Sequence, residues 1–347
     1  MILEALRKVV DGEDLTHQEA ATVMREIMDG EATPVQIGGL AAALRTKKET
    51  AEELAGFASV IRERCIRVTP RRRPLLDMCG TGGDYACTFN ISTVATLVVA
   101  AAGVPVAKHG NRGVSSPCGS ADVLAALGVE LDLTPEEIAR CIDELGLGFI
   151  YAPSHHPAMR NAAQPRRELG IRTFFNVLGP MTNPAGATHQ LIGVFDPDLC
   201  PKIAEALNRM GGERAMVVHG MDGLDEISTV GPTRMSTLQH GRVSTDLRTP
   251  AEFFVVPAQM DELRGGATPE ENAQIVISVL QGEPGPRRDV VAVNAAAGLI
   301  LGGMAEGWRD GVALATRMIT TGRALKMLSD LVSFTRQFTK EPVEAPA

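Results

Sequence analysis

Polar and apolar positions follow two different rhythms along this chain, and the change falls near residue 70. Before it, apolar residues recur at the spacing of one helix face, as in Ala21, Met24, Ile27 and Met28. Three capping boxes punctuate this stretch: Thr16-x-x-Glu19, Thr33-x-x-Gln36 with Pro34 at the first helical position, and Thr50-x-x-Glu53. In each, a hydroxyl and a later carboxylate or amide satisfy N–H groups that a helix start leaves unpaired. Residues 1–70 are therefore expected to form a small all-helical domain. Arg71-Arg72-Arg73-Pro74 reads as a linker, a short solvated charge run rather than a nucleic-acid patch.

From Leu75 onward short apolar runs alternate with helical patterns. Strands are predicted over Leu75–Cys79, Val104–Lys108, Gly148–Ala152, Leu191–Phe195 and Ala215–His219, and helices over Ile91–Ala102 and Ala121–Leu127. Thr134-Pro135-Glu136-Glu137 opens another helix through a fourth capping box, and several more follow Pro269, rich in alanine around Asn294. This alternation predicts an α/β fold: a large domain over 75–347 with a mostly parallel central sheet flanked by helices. Helices near 165–185 are expected to join the N-terminal helical domain.

Composition narrows the function classes. With 44% apolar and 22% charged residues, the 347-residue chain reads as a globular protein. The net charge of -8 disfavours nucleic-acid binding as the main task while leaving room for a local basic pocket. The six cysteines form no C-x-x-C pair and read as reduced thiols. The acids in MILEALRKVVDGED interrupt any signal-peptide core, and the apolar run Val94–Val106 is too short to span a bilayer. A cytoplasmic location is expected, with no membrane partner.

The chemistry concentrates in Asp77–Gly128, where three polar clusters follow apolar segments: Gly80-Thr81-Gly82-Gly83-Asp84, Asn90-Ile91-Ser92-Thr93, and Lys108-His109-Gly110-Asn111-Arg112 with Ser115-Ser116. Glycine-freed N–H groups, hydroxyls at a helix start and a lysine–arginine cluster together suit a phosphorylated ligand bound beyond the carboxyl ends of the strands. Neither standard nucleotide motif applies: Tyr85 stands where G-x-G-x-x-G needs its third glycine, and no Gly-Lys-Ser/Thr follows. Asn90 is expected to cap the next helix. A helix N-terminus offers an anion only ~0.3–1 kcal/mol when exposed, so a diphosphate needs a cation as well. Gly223-Leu224-Asp225-Glu226-Ile227-Ser228 offers adjacent carboxylates for magnesium. His155-His156 before Pro157 reads as a helix start rather than a metal pair. Arg166 and Arg167 lie in a predicted helix, where one could clasp a carboxylate.

With these clusters in view, the chain resembles the anthranilate phosphoribosyltransferase family of tryptophan biosynthesis, enzymes of the nucleoside phosphorylase/phosphoribosyltransferase-like fold. The resemblance runs nearly end to end. Besides GTGGD, NIST and KHGNR it takes in SSPCGSADVLAALG (Ser115–Gly128), HHPAMR (His155–Arg160), RRELGIRTFFNVLGPMTNPA (Arg166–Ala185), HGMDGLDEIS (His219–Ser228) and GPRRDVVAVNAAAGL (Gly285–Leu299). It implies transfer of the phosphoribosyl group of 5-phosphoribosyl 1-diphosphate to the amino group of anthranilate, in a homodimer joined through the helical domain. By motif it implies phosphoribosyl-diphosphate contacts from Gly80, Gly83, Asp84, Thr88, Asn90, Ile91, Ser92, Thr93, Lys108, Ser116 and Ser120. It further implies magnesium ligands in Ser92, Asp225 and Glu226, about two ions per site, and anthranilate contacts in Asn111 and Arg166 with His109 near the ring. Lys108, His109, Asn111 and Arg166 form the implied catalytic set. No essential general base is expected, because an aromatic amine is already neutral near pH 7.

Two departures from the family pattern stand out: Tyr85 replaces a glycine, and Pro165, where valine is common, is expected to bend the helix that aims Arg166. A pyrimidine nucleoside phosphorylase-like enzyme would need no diphosphate–magnesium site, and a nucleic-acid-binding relative of the same fold should carry a basic surface and a degraded cradle. The Asp225-Glu226 pair, the KHGNR cluster and the net charge of -8 argue against both.

Overall fold

The computed structural model describes residues 1–84, 86–113 and 117–339, so Tyr85, Ser115 and Ser116 lie outside the described residues. The chain opens with α1 (Ile2–Val10), α2 (His17–Met28), α3 (Pro34–Lys47) and α4 (Ala51–Arg64). The three capping boxes at Thr16, Thr33 and Thr50 close as the sequence predicts, with hydroxyls accepting the N–H three residues on at 3.2–3.3 Å. Glu53 does more than cap. Fully buried, it also accepts the Leu15 N–H at 2.9 Å and pairs with Lys47 at 3.1 Å, tying α4 to the start of α2.

The α/β portion follows as β1 (Leu76–Gly80), α5 (Ile91–Ala101), β2 (Val106–Gly110), α6 (Ser120–Ala126), α7 (Pro135–Leu145), β3 (Leu147–Tyr151), α8 (Ala152–His155), α9 (Ala163–Leu169), α10 (Phe175–Leu178), β4 (His189–Gly193), α11 (Leu199–Arg209) and β5 (Arg214–Gly220). Then come β6 (Thr233–Gln239), β7 (Arg242–Arg248), α12 (Pro269–Leu280), α13 (Pro286–Leu301), α14 (Trp308–Thr320) and α15 (Arg323–Arg336). One sheet runs β3-β2-β1-β4-β5-β6-β7, parallel from β3 through β5 and antiparallel at β5-β6 and β6-β7. The β6–β7 hairpin is an addition to the strands predicted. Its two-residue turn, His240-Gly241, holds φ values of 51° and 70°, the left-handed pair that matches strand twist in a tight hairpin.

Alternation along the strands feeds two cores. Leu76 and Met78 of β1, with Met216 and Val218 of β5, face a core built on α5, α12, α13, α14 and α15. Ile192 of β4 and Val217 of β5 face the other way, into a core shared with α11, α10 and the four N-terminal helices. α9 lies against α3, and α10 against α4. The N-terminal helices are thus packed onto the edge of a cleft that opens above the carboxyl ends of β1, β2 and β4. Among the described residues no helix is long and apolar enough to cross a membrane.

Candidate active site

Glycine shapes the floor of this cleft. Gly80 ends β1 in register with Gly193, which ends β4. A Cβ on Gly80 would strike the Asp225 carboxylate, and one on Gly193 would strike the Asp225 main chain. Bare backbone at both positions lets the segment after β5 lie across the strand ends. Gly82 and Gly83 then turn through left-handed φ values of 64° and 77°, and the Gly82 N–H donates to Asp225 Oδ2 at 2.7 Å. Asp84 stands beside Asp225.

Glu226 reaches the start of α5, where Ser92 N–H donates to its Oε1 at 3.0 Å. Lys108, only 2% exposed, extends under this pair, donates to the Met78 carbonyl at 2.6 Å and reaches Ser92 Oγ at 3.5 Å. Burial raises the affinity of both carboxyls for protons. The charges of Asp84 and Glu226 push Asp225 up further, and Lys108 partly opposes the shift at Glu226. Two half-buried carboxylates, with Lys108 the lysine near Glu226, form a hard-oxygen, electron-rich site that a divalent cation would neutralise, and the Ser92 hydroxyl stands next to it. These residues fit magnesium. Among the described residues no cluster of three or more His, Cys, Asp or Glu forms a self-sufficient metal cage. Magnesium does not require one, since it takes its remaining ligands from phosphate and water.

Asn90 corrects an expectation. It stands at the N-cap of α5, but its side chain makes no cap bond and donates instead to the Cys118 carbonyl at 3.0 Å. The N–H at Ser92 is taken by the distant Glu226, so the side chain is released to hold the following loop. Asn90 Oδ1 and Thr93 Oγ1 are buried with no hydrogen-bond partner among the described residues. Orphaned acceptors and hydroxyls at a helix N-terminus are ready for a ligand.

Across the cleft the character changes. His109, at the end of β2, and His156 set their rings 5.2 Å apart at 57°. His109 Nε2 and both ring nitrogens of His156 are buried without a partner among the described residues. His155 ends α8 and His156 is the N-cap of the 3-10 helix Pro157–Ala162, the helix start expected from the sequence, and His155 Nδ1 engages the Ile66 carbonyl at 2.8 Å. Arg166 on α9 lies over the Phe175 ring at 5.4 Å. Burial lowers its pKa, and it has no carboxylate partner among the described residues. Pro165 is the third residue of α9, where an N–H has no intrahelical acceptor. The Asn111 carbonyl accepts Ala121 N–H at 3.1 Å and the Ser120 hydroxyl at 3.3 Å, joining this wall to the start of α6.

Every site residue anticipated from sequence lines this cleft of about 1300 Å³, except Ser116, which lies outside the described residues. The volume exceeds that of a typical single-ligand pocket. The cleft also recruits residues that sequence reasoning missed. Arg45 and Ile61 come from the helical bundle, and Arg160 and Arg172 lie in the HHPAMR and RRELGIRTFFNVLGPMTNPA segments. Arg172 stacks over Phe195 at 4.4 Å and backs directly on Gly83.

Burial, helped by His156 and His155, pushes the His109 imidazole down to about 3, and burial with His155 pushes His156 down to about 4. Both rings are neutral in the folded chain, whereas unfolding returns them to the ordinary 6.5. Depressed imidazoles favour folding above pH 6.5, and that contribution fades as pH falls towards 4 and then 3. At pH 4.5 each should cost roughly 2–3 kcal/mol relative to neutral pH. Denaturant melts of the wild type and of His156→Phe at pH 7 and 4.5 measure this. The variant should lose less stability on acidification, and identical losses would refute the assignment.

Comparison with known proteins shows the family to which the chain belongs. Residues 3–65 match the helical bundle domain of a glycosyl transferase family, and residues 72–325 match the a/b domain of the same family. The chain is 51% identical over 335 residues to the anthranilate phosphoribosyltransferase of Pelotomaculum thermopropionicum, covering 96% of this chain and 97% of the relative. It is 52% identical to that of Symbiobacterium thermophilum, covering 97% and 98%. Among solved structures it is similar to anthranilate phosphoribosyltransferase from Thermus thermophilus, with a TM-score of 0.91 at 46% identity over 96% of this chain and 99% of that one. The Saccharomyces cerevisiae enzyme in complex with PRPP and Mg superposes with a TM-score of 0.87 at 26% identity, covering 97% and 98%.

Proposed function

We propose, from the premise that this chain belongs to the glycosyl transferase family and within it to the anthranilate phosphoribosyltransferases, that it joins anthranilate to C1 of 5-phosphoribosyl 1-diphosphate in tryptophan biosynthesis. The observation that carries this reading is one cleft with two chemically opposite walls. One side holds the half-buried carboxylates of Asp225 and Glu226, the orphaned Asn90 amide oxygen and Thr93 hydroxyl, and Lys108; the other holds neutral imidazoles and an arginine without an acid partner among the described residues.

On this reading Gly80, Gly83, Asp84, Thr88, Asn90, Ile91, Ser92, Thr93, Lys108, Ser116 and Ser120 receive the phosphoribosyl diphosphate. Ser92, Asp225 and Glu226 hold about two magnesium ions. Bound there with the diphosphate, magnesium supplies positive charge that favours departure of the leaving group. Lys108 contributes a fixed ammonium to the same end of the cleft. As the C1–oxygen bond breaks, its electron pair leaves with diphosphate and C1 gains oxocarbenium character. The amine lone pair of anthranilate forms the C1–N bond, and the nitrogen then loses a proton to solvent. Arg166 clasps the anthranilate carboxylate and Asn111 bounds it, so the amine is delivered rather than activated. His109 is too weak a base to drive the step, since its imidazole titrates near 3, but it remains neutral beside the aromatic ring.

A homodimer through the helical domain belongs to this proposal. Its support is the exposed apolar set Leu3, Val10 and Val35 on α1 and α3. Light scattering should give twice the 36.9 kDa chain mass, and a monomer at micromolar concentration would contradict it. A cytoplasmic location is supported by six cysteines, all among the described residues, that form no disulfide with one another; activity recovered only with membranes would oppose it. The function itself is tested by mixing protein, anthranilate and 5-phosphoribosyl 1-diphosphate and following anthranilate fluorescence. Loss should require magnesium and both substrates. Unchanged fluorescence with folded protein would overturn the proposal.

A further inference from the structure

We propose that Asn294 is the positioning residue that sets the Asp225–Glu226 carboxylate pair over the end of β1, an inference that rests on reading that pair as the metal-binding one. The pair lies in residues 221–232, between β5 and β6, where the backbone is neither helix nor strand. Much of the bonding in this segment is internal. The Asp222 carboxylate accepts the N–H groups of Leu224 at 3.3 Å and Gly231 at 3.1 Å and the Ser228 hydroxyl. Ser228 N–H donates to Thr233 Oγ1 at 2.9 Å. These bonds close the segment on itself and leave its attitude to the sheet open.

Two ties lead from its main chain to the body of the fold beyond the flanking strands, among the described residues. One is the Thr229 carbonyl, which accepts Ala258 N–H at 2.9 Å from an irregular stretch. The other is Ile227, the residue after Glu226. Its N–H donates to Asn294 Oδ1 at 3.0 Å, and its carbonyl accepts from Asn294 Nδ2 at 2.9 Å. The amide thereby imitates a neighbouring strand for one residue. Nδ2 also donates to the Val290 carbonyl at 2.9 Å, so the side chain is braced on its own helix. Asn294 is fully buried near the middle of α13, among Val290, Val291, Val293 and Ala295.

The residue type matters. Only an amide of this length presents an acceptor and a donor side by side; aspartate accepts only, and serine is too short to span both groups. Fixing both main-chain groups of Ile227 fixes the peptide plane that leaves Glu226, and with it the direction of that side chain. The two carboxylates themselves bond to Gly82 and Ser92, groups of the proposed ligand cradle. Asn294 therefore supplies a reference that does not depend on the ligand.

The test uses the full chain with 5-phosphoribosyl 1-diphosphate and Mn²⁺, reading bound metal from loss of the free-ion electron paramagnetic resonance signal. Asn294→Asp and Asn294→Ser should each weaken Mn²⁺ binding about 10–100-fold, the usual cost of losing an outer partner of a metal ligand. A merely structural role would lower the unfolding temperature and leave Mn²⁺ affinity within about twofold of wild type, which would overturn the inference. If the wild type bound no Mn²⁺, the metal reading of Asp225 and Glu226 would fail instead. Should neither variant fold, hydrogen exchange on the wild type decides. The Ile227 amide should exchange only through global unfolding, and exchange as fast as the exposed Gly241 amide would overturn the proposal.

Discussion

Gly193→Ala should lower kcat/KM for 5-phosphoribosyl 1-diphosphate by ~100-fold or more, although residue 193 offers no side chain to any ligand. The added methyl would occupy the place of the Asp225 main chain. Gly193 lies in the parallel ladder between β1 and β5, so it cannot easily retreat, and the Asp225 segment must lift instead. Misplacing catalytic groups by ~1 Å costs about 100-fold in rate. Overpacking at a rigid site adds ~1–3 kcal/mol of lost stability. Steady-state kinetics beside a denaturant melt check both numbers. Activity within threefold of wild type would mean that Asp225 tolerates displacement, and the account of the cleft floor would fail.

Lys108→Ala is the second large effect. The ammonium is buried, is held by the Met78 carbonyl at 2.6 Å, and lies within the electrostatic reach of Asp77 and Glu226. Its removal leaves that carbonyl without its lysine and the carboxylates without their cation. Stability should fall by ~1–3 kcal/mol, the cost of orphaning a buried polar partner. KM for 5-phosphoribosyl 1-diphosphate should rise at least tenfold, and kcat should fall by ~100–1000-fold, as when a fixed electrostatic stabiliser is lost. Lys108→Met, which keeps the apolar stem, should recover part of the stability and none of the KM. An unchanged KM in both variants would remove Lys108 from the diphosphate end of the cleft.

What could be read from the sequence was whatever short-range chemistry decides. The capping boxes at Thr16, Thr33, Thr50 and Thr134 involve residues three apart, and all four form. The five strands predicted are those whose apolar runs end in glycine or a polar cluster, and each is present to within two residues at either end. The β6–β7 hairpin escaped because β7 exposes nearly every position and so lacks apolar alternation, although His240-Gly241 was a usable turn signal. Asn90 was placed correctly at the start of α5, but its bonding was not foreseeable. The competing acceptor, Glu226, is 134 residues away from Ser92.

The same distance problem governs the site. Asp225-Glu226 reads locally as a solvated turn, and only the phosphate-type clusters elsewhere in the chain raised it to a candidate magnesium site. Its place across the strand ends depends on two glycines in separate strands having no Cβ. Arg45 and Ile61 enter the cleft only because α3 and α4 pack against α9 and α10, a juxtaposition that no local pattern encodes.

The central claim is that one cleft couples release of diphosphate to capture of the anthranilate amine. The most direct measurement is the ratio of diphosphate released to anthranilate consumed, with the product identified by mass, at saturating magnesium. The account predicts a ratio of one, N-(5-phosphoribosyl)anthranilate as the product, and no release of diphosphate when anthranilate is omitted or magnesium chelated. Diphosphate released at the same rate without anthranilate, or anthranilate left unconsumed by folded protein, would contradict it.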